Sequence, residues 1–261
     1  MELPLFWVDA FTDRVFGGNP AAVVPLESWL DDGLLQRIAF ENGLSETAYF
    51  VRTGPARADL RWFTPTVEVD LCGHATLATA HALFAELGQK ESPFTFDTRS
   101  GPLSVVRKGS LLELDFPSRP ALPVEPPAAL VRGLGRKPEA TLRSERMWLC
   151  VFGSADVVAG LVPDQAALGT LSPGRFIVTA PGVDCDFVSR FFAPDAGIPE
   201  DPVTGSAHST LVPYWEGRLG RSKLHARQIS RRGGQLWCEL DGDRVRMAGN
   251  AVLYLKGRIA V

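Results

Sequence analysis

The chain has 261 residues and 28.3 kDa, with 45% hydrophobic and 22% charged side chains and a formal net charge of -3. That is the composition of a soluble globular protein with enough chain for one large core or two small ones, and its dispersed Lys and Arg exclude a nucleic-acid footprint. No apolar run approaches membrane-spanning length, and the cysteines at 72, 150, 185 and 238 are too scattered for a disulfide framework or a zinc motif, so reduced cytosolic thiols and no metal are expected.

The opening MELPLFWVDAF meets acids at Glu2 and Asp9 and has no basic leader, so it reads as a first strand rather than a signal peptide, and a cytoplasmic location follows as an expectation. In ESWLDDGLLQRIAFENG, Leu30, Leu34, Leu35 and Ile38 share one face and Gly43 is a stop, the pattern of a surface helix. AYFVRTGPARADL reads as strand, turn, strand, running into ADLRWF. A proline loop, an acid and a short turn then lead to Gly73. The apolar run that follows ends near Glu86; it is too long for a strand and has no polar face, so a helix buried nearly all round is expected. The proline-rich stretch Arg119 to Ala140 reads as the connection between two lobes.

The second half repeats the first. RWFTPTVEVDLCGHATLATAHALFAELG, from Arg61 to Gly88, aligns with RFFAPDAGIPEDPVTGSAHSTLVPYWEGRLG, from Arg190 to Gly220, with three residues inserted before the second glycine. Arg61 matches Arg190, Phe63 matches Phe192, Asp70 matches Asp201, and Gly73 matches Gly205. Upstream, IVTAPGVDCDFVS repeats the strand, turn, strand, and Glu46 falls opposite Arg175. Pro213 is expected to weaken or kink the second helix.

A buried helix that starts at a glycine leaves backbone N–H groups unpaired at its positive end, where an anion is stabilised. Gly73-His74 and Gly205-Ser206 are therefore candidates to cradle a small carboxylate in one cleft. The plainer alternative is that the two glycines only permit close helix packing.

LSETAYF around Glu46, LCGHATLA around His74 and EDPVTGSAH from Glu200 to His208, supported by VDAFTDRVFGGNPAAVV and AVLYLKGRIAV, resemble the PhzF family, the phenazine biosynthesis-like proteins that share the diaminopimelate epimerase fold. The likeness runs end to end. It implies an α+β fold of two pseudo-symmetric lobes, each a mixed β-sheet curled around a central buried helix. The lobes would be residues 1–118 and 119–261, with a final strand near 250–261 able to cross back to the first. It further implies a biosynthetic isomerase without a cofactor, a cleft active site and a homodimer. Carried over by position, Glu46 is the acid/base, His74 and Asp201 are its polar partners, and Gly73, Gly205, Ser206 and His208 bind substrate. The phenazine-making founder of the family has alanine where this chain has Cys72, proline where it has Ala75, and no histidine at position 208, so its substrate does not carry over.

The chemistry this implies is proton transfer next to a carboxylate. Racemase relatives use two thiols, one before each glycine; here the first position is Cys72 and the second is Thr204, whose hydroxyl is far too weak an acid to replace a thiolate. One base is left, Glu46, flanked by Leu44, Ala48, Tyr49 and Phe50, and it would move a proton between carbons of a small carboxylated or amino-acid-like substrate. The alternatives are a racemase or epimerase using Cys72, and a catalytically silent carboxylate binder. His74, at a helix start, is expected to be neutral, and Cys72 to be buried packing.

Overall fold

A computed structural model describes the whole chain, Met1–Val261, which divides into two units: Met1–Asp115 with Ala248–Val261, and Phe116–Met247. No helix in it is long and apolar enough to cross a membrane.

The first unit runs β1 (Glu2–Ala10), β2 (Asn19–Leu26), α1 (Asp32–Asn42), β3 (Glu46–Gly54), β4 (Arg57–Phe63), β5 (Glu68–Val69), α2 (Gly73–His81), β6 (Phe94–Thr98), β7 (Gly101–Lys108) and β8 (Leu111–Pro117). In the second come β9 (Leu122–Pro123), α3 (Ala128–Leu134), β10 (Ala140–Arg143), β11 (Trp148–Val151), α4 (Ala155–Ala159), α5 (Gln165–Leu168), β12 (Phe176–Pro181), β13 (Phe187–Ala193), β14 (Ile198–Asp201), α6 (Gly205–Leu219), β15 (Lys223–Gln228), β16 (Gly234–Asp241) and β17 (Arg244–Gly249). The last strand, β18 (Ala251–Ala260), pairs antiparallel with β1.

Strand pairing is mixed in both units, and the two patterns repeat each other. β2 and β3 are parallel, β3 and β4 antiparallel, β4 and β6 parallel, β6 and β7 antiparallel. The series β11, β12, β13, β15, β16 alternates in the same way. In each unit a helix is inserted between the parallel partners, α2 before β6 and α6 before β15, as parallel pairing requires a crossover.

The helix over 32–42 forms as its pattern predicts. Asp31 accepts the Leu34 N–H at 3.3 Å, Leu35 and Ile38 are buried, and Gly43 ends the helix at φ 61°, a left-handed conformation that suits glycine. The expected buried helix is α2, in which every residue from Gly73 to Ala80 is buried. Its Gly, Ala and Thr side chains are small enough for sheet strands to approach on all sides. The two threonines satisfy their hydroxyls within the helix, Thr76 donating to Cys72 O at 2.5 Å and Thr79 to Ala75 O at 2.7 Å.

Two expectations change, and a third gains a detail. α6 continues through Pro213, from Gly205 to Leu219. Proline removes the N–H that would bond Ser209 O, and the backbone N–H of Arg119 supplies the missing donor at 2.8 Å. The stretch Arg119–Ala140 is more than a connection: it holds β9 and α3, and Leu130 and Leu134 of α3 belong to the second unit's core. Asp70 is not the counterpart of Asp201, because Val69 pairs with Trp62 just as Asp201 pairs with Phe191, one residue after each repeat arginine. Asp70 is exposed, whereas Asp201 is buried.

The matched arginines do the same work twice. Arg61 forks onto Glu68 with two bonds of 2.7 Å and lies over Phe63 at 5.1 Å; Arg190 forks onto Glu200 at 2.7 and 3.0 Å and lies over Phe192 at 5.0 Å. Such bidentate pairs fix geometry as well as charge. Arg190 also donates to the Leu161 carbonyl at 2.8 Å. Arg190→Met is expected to cost about 2 kcal/mol, less than a fully buried pair because Glu200 is partly solvated, with Arg190→Lys intermediate; urea unfolding measures both.

Candidate active site

The β1–β2 hairpin places Asn19 opposite Ala10, and the parallel pairing of β2 with β3 sets Ala21 beside Glu46. Strand starts bearing Asn19, Ser45 and Glu46 thus converge on the first turn of α2. Gly18 makes the hairpin possible: at φ 59° a side chain is disfavoured, and a Cβ there would lie 2.1 Å from Ala10 O.

His74, on that first turn, is 5% exposed. Its Nε2 lies 3.1 Å from Glu46 Oε2, and neither atom has a further hydrogen-bond partner. On the other side of the ring, Nδ1 is 3.2 Å from the Asn19 amide nitrogen and 3.5 Å from Cys72 Sγ. Ser45 in turn donates to Asn19 Oδ1 at 3.4 Å.

The Asn19 amide nitrogen can only donate, so Nδ1 accepts and the ring's hydrogen lies on Nε2 toward Glu46, the neutral tautomer. Burial also acts to keep His74 uncharged, while the adjoining Cys72 sulfur and Glu46 carboxylate act to raise its pKa above the ordinary histidine value. The carboxylate is the partner that counts at neutral pH. Cys72 stays a thiol, pushed up to about 11 by burial and then by Glu46, as buried packing would be. Ellman's reagent at pH 8 should therefore reach the half-buried Cys185 first and leave Cys72, Cys150 and Cys238 unreacted until the chain is unfolded. Rapid labelling of Cys72 in the folded protein would contradict that picture.

Glu46, Cys72 and His74 also carry potential metal donors within 4.8 Å of one another. They fit a single ion poorly, because Cys72 sits beside Nδ1 and Glu46 beside Nε2, and one ion bonds only one ring nitrogen.

In the second unit, Thr204 occupies the position before the α6 glycine that Cys72 occupies before α2. Its hydroxyl donates to Asp201 Oδ2 in a short bond. Gln228, at the end of β15 and 1% exposed, holds the same loop: its Oε1 accepts the Thr204 N–H at 2.8 Å, and its Nε2 donates to Asp201 O at 2.7 Å and to Thr204 Oγ1 at 3.2 Å. Ser230 bonds Pro202 O at 2.7 Å. Ser206 is half-buried on the first turn of α6.

His208 does not join Ser206 at the helix start. It is fully buried, its Nδ1 donates to Thr204 O at 2.8 Å, and its ring lies 6.0 Å from that of Phe187. Its counterpart Thr76 serves the Cys72 carbonyl in the same way, and the other ring nitrogen of His208, Nε2, has no hydrogen-bond partner. The structure thus gathers Glu46, Gly73 and His74 in one unit and Asp201, Gly205 and Ser206 in the other.

Sequence reasoning passed over Asn19, Ser45 and Gln228. Asn19 had a signal, since it follows Gly17-Gly18 in a turn-forming segment. Gln228 had none: it is one polar residue in an alternating strand.

A hydroxyproline epimerase from Agrobacterium vitis superposes with a TM-score of 0.66 at 11% identity, covering 100% of this chain and 93% of its own, a likeness of fold. A much nearer structure is that of a PhzF-family protein from Enterococcus faecalis, with a TM-score of 0.97 and 45% identity over 100% of both chains. In sequence, a Pseudomonas aeruginosa protein named an uncharacterized isomerase is 51% identical over 259 residues, 99% of each chain. That identity gives the class, an isomerase, on an epimerase-like α+β fold. Residues 8–257 match the phenazine biosynthesis-like (PhzC/PhzF) family, and the chain belongs to it.

Proposed function

We propose that this isomerase moves a proton between two carbons of a small carboxylated substrate, without a cofactor, using Glu46 as the single base. The observation that carries the reading is the Glu46–His74 pair: a largely buried carboxylate 3.1 Å from an imidazole whose charging it favours, at the uncapped start of a helix. Substrate carboxylate charge, which grows as the adjacent carbon loses its proton, is stabilised by backbone N–H groups at such helix starts. Glu46 takes the proton and returns it, and His74 holds the carboxylate in place and balances its charge.

The two-thiol alternative has less support. Cys72 is buried behind the imidazole with a raised pKa, and the matching position is a threonine engaged with an aspartate.

The test is a panel of small unsaturated carboxylic acids and amino acids incubated with the protein in deuterium oxide, with proton NMR and mass spectrometry following isomer and label. Substrate turnover that survives in Cys72→Ala supports the reading. Exchange lost only in that variant would give the racemase reading its place, and tight binding without exchange would identify a binder.

A further inference from the structure

Cys72, His74 and Glu46 stand in the order of a proton relay. Cys72 Sγ is 3.5 Å from one ring nitrogen of His74, Nδ1, and the Glu46 carboxylate is 3.1 Å from the other, Nε2. A thiol, an imidazole and a carboxylate in this order activate the sulfur when the imidazole takes its proton and the carboxylate steadies the imidazolium that results. Here that transfer is contested. A neutral imidazole has one acceptor nitrogen, and two donors lie within bonding distance of it: the Cys72 S–H and the Asn19 amide, whose Nδ2 is 3.2 Å away. The amide wins, because a thiol is a weak donor. Asn19 is fully buried, and Ser45 Oγ donates to its Oδ1 at 3.4 Å.

We propose that Asn19 is a positioning residue that decides which side chain is the base at this site: by occupying His74 Nδ1 it denies Cys72 a proton acceptor and leaves the chemistry to Glu46. With Asn19 in place the ring's hydrogen stays on Nε2, toward Glu46, and Cys72 keeps its proton. Without it, the Cys72 proton passes from Sγ to Nδ1, giving a thiolate and an imidazolium. The Nε2–H still faces Glu46, whose charge stabilises the imidazolium, and the net charge of the three groups is unchanged. The second unit has no such relay, since Thr204 and Ser206 stand where α2 has Cys72 and His74. This role rests on the single-base reading proposed above, but it concerns groups that are observable without substrate.

The test is alkylation of the folded, full-length protein by iodoacetamide at pH 8, in which a sulfur–carbon bond forms and iodide leaves, with peptide mass spectrometry reading the rate at Cys72. In wild type the reaction should be slow, because burial pushes the Cys72 thiol up to about 11. Asn19→Leu keeps the shape of the side chain and removes the donor. Cys72 should then react at least about tenfold faster, the gain in thiolate when its pKa falls by one. Looser packing would also speed the reaction, so the rate is measured again in Asn19→Leu/His74→Gln, which keeps the access and lacks the proton acceptor; there the gain should vanish. Asn19→Asp should leave Cys72 slow, because its carboxylate holds a hydrogen on Nδ1 and its charge opposes a thiolate. Nitrogen NMR of the His74 ring should show that hydrogen, and this spectrum decides the matter should Asn19→Leu fail to fold. An unchanged rate in Asn19→Leu, a gain that persists in the double variant, or an Asn19→Asp ring with hydrogen on Nε2 alone overturns the role of Asn19. Failure of the Glu46 reading shows separately, as turnover retained in Glu46→Gln.

Discussion

Glu46→Gln is expected to lower the rate of isomerisation and solvent exchange by about a thousandfold, within the range that a positioned general base contributes. The substitution keeps the size and hydrogen-bonding shape of the side chain, so the fold should be retained. Loss of the carboxylate also removes a charge that holds the His74 pKa up, and the imidazole should then titrate at lower pH. Nitrogen NMR of the His74 ring measures this second effect without any substrate. A variant that kept its turnover would end the single-base mechanism. One that lost turnover with His74 unmoved would show that the two residues are not electrostatically coupled.

The second large effect concerns stability. His208 is fully buried, and burial pushes its pKa down to about 4, against 6.5 for an ordinary histidine, with only the Thr204 carbonyl opposing the shift. Above pH 6.5 neither the folded nor the unfolded state holds the proton, and His208 contributes nothing to pH dependence. Between 6.5 and about 4 the unfolded chain takes up a proton that the folded protein refuses, so stability falls as pH falls. The gap is worth roughly 3 kcal/mol. His74 works in the opposite sense: its raised pKa stabilises the fold below 6.5, and that contribution is lost as pH rises through the raised value. His208→Asn keeps a donor for Thr204 O and removes the titration, so the difference in urea stability between wild type and variant isolates His208. Wild type should lose about 3 kcal/mol relative to the variant between pH 7 and pH 4; a constant difference would contradict a neutral buried ring.

These two histidines mark where reading a sequence stops. Both lie near the start of a helix within repeated motifs, and the same motif logic placed both at a ligand. Periodicity alone cannot separate the second residue of a helix, His74, from the fourth, His208, whose Nδ1 is consumed by the carbonyl four residues back. The repeat alignment failed at Asp70 for a similar reason. Three inserted residues before Gly205 left the register open, and only the ladder, with Asp201 against Phe191, closed it.

The sequence by itself determined the duplication, the two buried central helices, the helix ended by Gly43, the family and the pairing of an acid at Glu46 with no acid at its counterpart Arg175. All of these rest on local patterns or on matched spacing, which survive without knowledge of the fold. Tertiary structure decided which polar groups meet. Asn19 and Ser45 reach His74 because β1, β2 and β3 lie side by side; Gln228 reaches Asp201 and Thr204 from 24 residues away in sequence; and the Arg119 N–H takes over the carbonyl that Pro213 leaves unpaired. Each is a hydrogen bond between residues far apart in the chain, required by the cost of burying a polar group without a partner. A linear pattern carries no record of such partners until the strands are brought together.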